Sequence, residues 1–163
     1  MGNGNTRKAL IAGLGVWVGL AGGMALADAA CAPGRVDLRW DGGRESFAVE
    51  VADDQAERSK GLMDRASMQA AAGMLFVYET PRRAQFWMKD TLIPLDMIFA
   101  DAEGVVTRVH ANAIPQDLTP IDGGNAVRFV LEINGGLAAK LGIVRGAVLR
   151  HPSVGDGAAW PCG

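Results

Sequence analysis

The sequence predicts a mainly β (α+β) single domain, a β-sandwich or partly closed barrel of about eight short strands with two short helices. Three observations lead there. Apolar and polar residues alternate with period two in short runs. Turns rich in Gly, Asp, Asn and Pro separate those runs. Only two segments carry the start and stop signals of a helix. The 163 residues suffice for one domain with a real core, and no internal repeat divides them.

Residues 1–27 read as a signal peptide. Arg7 and Lys8 supply a positive start, Ala9 to Leu26 carries no charge, and Ala25-Leu26-Ala27 fits a small-x-small cleavage site. The alternative is a retained N-terminal membrane anchor, since the run approaches the length of a span. Glycines at 13, 15, 19, 22 and 23 and the small-residue exit favour cleavage, leaving no membrane span. Lipidation at Cys31 is disfavoured, because Asp28-Ala29-Ala30 lacks an apolar residue three positions upstream. The expected location is therefore periplasmic or secreted. A lead (28–34), the β-rich domain (35–151) and a C-terminal tail (152–163) follow.

The two cysteines, Cys31 and Cys162, flank that domain. In an oxidising compartment such a pair is usually a disulfide, with free thiols on loose tails as the other reading. Neither belongs to a Cys-x-x-Cys motif, which argues against a redox role.

Val36–Trp40 and Ser46–Ala52 alternate around Asp41-Gly42-Gly43, as a hairpin does. Asp53 or Asp54 can cap a helix, with Glu57, three after Asp54, completing a capping-box-like arrangement and Gly61 stopping the helix after about Lys60. Met74–Tyr78 is a short apolar strand, and Pro81-Arg82-Arg83 a loop. Ala84–Ala100 then holds two strands joined by Asp90–Pro94. In the first, Phe86 and Met88 share a face opposite Trp87 and Lys89; in the second, Leu95, Met97 and Phe99 lie opposite Asp96 and Ile98. Val105–Ala111 is a strand and 112–125 a long irregular loop. Val127–Asn134 is an apolar strand interrupted by Arg128 and Glu132. Leu137–Leu141 forms a short helix and Ala147–Arg150 the last strand.

A net charge of −2, with no basic block beyond Arg82-Arg83, argues against a nucleic-acid partner. His110 and His151 lack further ligands at metal spacing, and the methionines fall at core-filling positions. No Gly-x-Ser-x-Gly elbow and no phosphate-cradling glycine loop is present, so no cofactor is expected. What remains is a pair of charges, Lys89 and Asp96, inside apolar strands, where an unpaired charge costs several kcal/mol. With Trp87 beside them and Arg58 and Glu132 in neighbouring motifs, one expectation is non-catalytic binding of a small polar ligand or cell-envelope partner. Structural ion pairs, Lys89–Asp96 or Arg58–Glu132, are the competing reading. The alternative function is a small hydrolase acting on envelope carbohydrate through Asp96 and Glu132, which needs both carboxylates in one cleft.

Gly61-Leu62-Met63, Gly73-Met74-Leu75-Phe76, Phe86–Thr91 running into Pro94-Leu95-Asp96, and Val130–Asn134 together resemble the DUF192 family, small bacterial and archaeal proteins often preceded by a signal peptide. The resemblance covers about residues 45–150; the family usually has Asn where this chain has Asp90. It implies a compact β-rich domain and brings no activity with it.

Overall fold

The hairpin forms where alternation requires it. β1 (Arg35–Trp40) pairs antiparallel with β2 (Gly43–Ala52), from Arg35 opposite Ala48 to Trp40 opposite Gly43. In this computed structural model, which describes residues 1–2 and 31–163, the remaining strands join the same sheet. They are β3 (Ala72–Phe86), β4 (Leu95–Ala100), β5 (Val106–Ala113), β6 (Ile121–Asn134) and β7 (Val148–Arg150), in the order β5-β4-β6-β3-β2-β1-β7. Helix α1 (Gln55–Lys60) carries the chain from β2 to β3, the one parallel pair, and α2 (Leu137–Leu141) follows β6. The segment expected to be a signal peptide lies, but for its first two residues, outside the described residues. Among the described residues no helix is long and apolar enough to cross a membrane.

The sheet curls until its two edges touch at one end. Val105 and Val148 form an antiparallel bridge, and the N–H groups of Val106 and Leu149 donate to the carbonyls of Ala147 and Gly104, both at 2.8 Å. The result is a half-barrel. Its interior holds Val36, Leu38, Phe47, Leu75, Ile98, Phe129 and Leu131, closed by Ala138 of α2 and by Ile143. A second core covers the other face, around Leu62, Met74, Phe76, Met88, Met97 and Phe99. There Phe86 sits edge-on to Phe76 and Phe99, at 5.1 and 5.8 Å between ring centres. β4, flanked by β5 and β6, is buried at every residue.

Seven strands stand where about eight were expected, because two expected strands are one, β3; β6 also runs further than alternation suggests. β3 continues through Pro81-Arg82-Arg83, expected to be a loop: register shifts between Val77 and Gln85 take up the proline and the extra residues. The run expected to reach Lys89 as a separate strand is the end of β3, which stops at Phe86 opposite Ile121. β6 takes in Ile121–Asn125, expected to be loop, since Gly123 offers its bare backbone to the Phe99 ring. A Cβ there would stand 2.3 Å from that ring.

The domain's ends are tied together. Cys31 and Cys162 form a disulfide, with 5.5 Å between their Cα atoms. Trp160 lies against the guanidinium groups of Arg39 and Arg150, at 4.7 and 4.3 Å. Arg150 also reaches Asp37, which accepts from Ser46 and Arg35 as well. Burial pushes the Asp37 carboxyl up, but these donors outweigh it and hold it below the usual carboxylate range.

Candidate functional site

The site begins with the cap of α1. The Glu57 N–H donates to the Asp54 carboxylate at 2.8 Å, while the Glu57 carboxylate accepts from the Asp53 and Asp54 N–H groups. Gly61, at φ +49°, ends the helix and delivers Leu62 to the core. This fixes Arg58, whose Nη1 donates to the Val77 carbonyl at 3.0 Å and to the Asp53 carbonyl. Its guanidinium lies 5.4 Å from the Tyr78 ring, and that of Arg82 approaches the same ring at 5.2 Å.

Between α1, β3 and the turn after Phe86 the chain leaves an open cleft of about 250 Å³. Arg58, Leu62, Tyr78 and Phe86 line its walls, with Trp87 on the rim and Glu132 on the floor. Glu132 lies opposite Met74 on β3 and Met97 on β4, so it faces the second core. It is only 4% exposed. Among the described residues its carboxyl accepts no hydrogen bond and joins no ion pair. Burial alone pushes it up to about 8, so near neutral pH the acid is mostly protonated, at once donor and acceptor. The Tyr78 phenol is likewise raised by burial, against the pull of Arg82 and Arg58, and Glu132 adds to the rise.

Trp87 is half exposed. It belongs to a turn tied to the 114–120 loop: the Met88 N–H donates to the Asp117 carbonyl at 2.9 Å and the Gln116 N–H to the Thr91 carbonyl at 3.1 Å. Lys89 lies in this turn too, exposed, its ammonium 5.6 Å from the Trp87 ring.

The expected association of Lys89 with Asp96 does not occur. Asp96 is fully buried and lies opposite Ile133, so it points into the half-barrel interior. There its Oδ1 accepts from the N–H groups of Asn112 (2.6 Å) and Gly136 (2.8 Å), and its Oδ2 from that of Ala138 (2.6 Å). Gly136, the N-cap of α2, has no side chain to do this, and the aspartate of β4 does it instead. Asp96 therefore has no path to the cleft. Glu132 lies on the opposite face, which removes the paired-carboxylate hydrolase arrangement. Neither Lys89–Asp96 nor Arg58–Glu132 forms an ion pair. Of the residues singled out in the sequence, Trp87, Arg58 and Glu132 meet in one cleft, Lys89 only touches Trp87, and Asp96 is structural.

Tyr78, Gln85, Phe86 and Thr91 are among the lining residues that were not anticipated as site residues. The one available signal was Tyr78, the only tyrosine, closing an otherwise apolar run. Among the described residues no group of three or more His, Cys, Asp or Glu side chains converges as metal ligands would.

Comparison with known proteins agrees with this fold. The profile of the family DUF192, described as "Uncharacterized ACR", matches residues 36–151. A crystal structure of a protein of unknown function from Novosphingobium aromaticivorans is 43% identical, with a TM-score of 0.69, over 71% of this chain and 82% of that one. A crystal structure of a putative transcription regulator from Sinorhizobium meliloti is 37% identical, with a TM-score of 0.72, over 76% of this chain and 97% of that one. No curated protein matches.

Proposed function

The chain belongs to the DUF192 family, and from that premise we propose that it is an exported, non-catalytic protein that binds a small polar ligand in the Trp87–Glu132 cleft. One observation carries the reading. A carboxyl only 4% exposed at the floor of an open cleft, met by no donor of the described residues, is costly to keep among apolar walls, and a ligand that hydrogen-bonds it there recovers that cost. A flat aromatic rim and one fixed guanidinium beside it are the usual furnishing of such pockets. Export rests on the charge and hydropathy pattern of residues 1–27.

A thermal-shift screen of the purified protein against sugars, amino acids and small organic acids tests the binding reading. A hit is expected whose affinity falls at least about tenfold in both Trp87→Ala and Glu132→Leu, the second of which removes donor and acceptor together. A screen without hits, or hits indifferent to both substitutions, overturns it.

A second reading, docking of an envelope protein, is favoured by the exposed apolar side chains Leu92, Ile114 and Leu118 on the two loops tied together beside Trp87. It predicts affinity sensitive to Ile114→Ser and Leu118→Ser, and insensitive to Glu132→Leu.

A further inference from the structure

The cleft continues past Tyr78 into a second lobe of about 310 Å³. Arg58, Ser59, Tyr78 and Gln85 line both, so the two form one groove. The second lobe adds Arg82 and Arg83, and its lining includes no carboxylate. Arg83 is engaged by Asp122 at 3.3 Å. Arg58 and Arg82 join no ion pair among the described residues. The hydrogen bonds of Arg58 both leave from Nη1, toward main-chain carbonyls, which orients the guanidinium and leaves Nε and Nη2 uncommitted. Two unpaired guanidinium groups thus converge on one tyrosine ring at 5.4 and 5.2 Å.

Both guanidinium groups line the second lobe, and the planar fork of each matches an oxyanion. At the far end of the groove stands the unpartnered Glu132 carboxyl, walled by Leu62, Phe76 and Phe86. Those apolar walls would tax a second charge heavily and admit a neutral hydrogen-bonding group. The groove is thus polarised along its length, with two unpaired guanidinium groups at one end and, at the other, the apolar-walled carboxyl and a lysine already paired with Asp64.

We propose that the ligand carries an oxyanion, a carboxylate or a phosphate, that enters the Arg58–Arg82 lobe, and a neutral hydrogen-bonding group that reaches Glu132. The assignment rests on the binding reading above and gives that site a ligand class. Arg82 is the cleanest probe, because among the described residues its guanidinium meets only the Tyr78 ring, whereas Arg58 also holds α1 to β3.

The test is an NMR titration of the purified protein with inorganic phosphate and, separately, with acetate, at constant ionic strength set with sodium chloride. Saturable millimolar binding of at least one anion is expected, weakened about tenfold or more in Arg82→Gln and changed less than about twofold in the control Arg145→Gln, which removes an exposed arginine that lines neither lobe. Saturation by phosphate alone assigns a phosphate head, and by acetate alone a carboxylate head. No saturable response to either anion, or a response that Arg82→Gln leaves intact, overturns the proposal. If at the same time a neutral screening hit is still lost in Glu132→Leu, the oxyanion assignment has failed and the binding function has not.

Discussion

Asp96 and Glu132 belong to neighbouring strands one register step apart, Asp96 opposite Ile133 and Glu132 opposite Met97, and they point to opposite faces of the sheet. That single step separates their roles. Asp96 is saturated by main-chain donors inside the half-barrel, while Glu132 lies unpaired beneath the cleft.

Asp96→Ala strips the partner from the N–H groups of Asn112, Gly136 and Ala138, so a loss of about 3–5 kcal/mol is expected in urea unfolding. Asp96→Asn, which keeps one acceptor oxygen, should lose roughly half as much. A variant Asp96→Ala within about 1 kcal/mol of the parent would refute the capping role.

Glu132 makes stability depend on pH with a definite sign. Its folded value of about 8 lies above the ordinary 4.5, so the native state binds more protons than the unfolded chain. The contribution is therefore full below pH 4.5 and is lost as pH rises through 8, a decline on the order of 3–5 kcal/mol. Arg58 and Lys60 from α1 and Tyr78 from β3 are the other ionisable groups lining the cleft, and Lys60 is taken up by Asp64 at 2.5 Å. Chemical denaturation between pH 5 and 9 should show the decline, and Glu132→Gln should flatten it. His151 acts at the acid end: burial lowers it from 6.5, so its share is lost as pH falls below that value.

Trp87 should separate binding from folding. Being half exposed, Trp87→Ala is expected to shift stability by less than about 1 kcal/mol while weakening a cleft ligand at least tenfold. Paired calorimetric titration and urea melts decide it; equal losses in both would mean that the side chain only supports the turn.

Gly123→Val places two methyl groups where the Phe99 ring lies, and should cost about 2–3 kcal/mol through displacement of that ring. Gly157→Ala, which meets nothing within 4 Å, is the control and should change little.

Reduction of Cys31–Cys162, or the double serine variant, should lower stability by about 4–5 kcal/mol, because the bridge closes a loop of 131 residues. Thermal melts with and without reductant measure it.

Local signals were legible where the partners are local. Asp54, Glu57 and Gly61 delimit α1 within a few residues of one another, and the β1–β2 hairpin and the faces of β4 follow from alternation alone. Distant partners were not. The donors that claim Asp96 come from residues 16, 40 and 42 positions away, so an embedded charge looked like a site when it was a cap. Lys89 continues the alternation of Ala84–Met88, yet the hydrogen-bonding partner of that strand ends at Ile121, and the chain turns out to solvent. Glu132 broke an apolar pattern just as Arg128 did, and only the assembled cleft tells them apart.

Because the disulfide sets Cys31 beside Cys162, the domain is topologically almost a ring. A short linker across that junction would let the chain be reopened elsewhere, for instance in the 114–120 loop, without altering the neighbours of any strand. Such a circular permutant would place its new termini beside the Trp87 rim, where a fused reporter could sense what enters the groove.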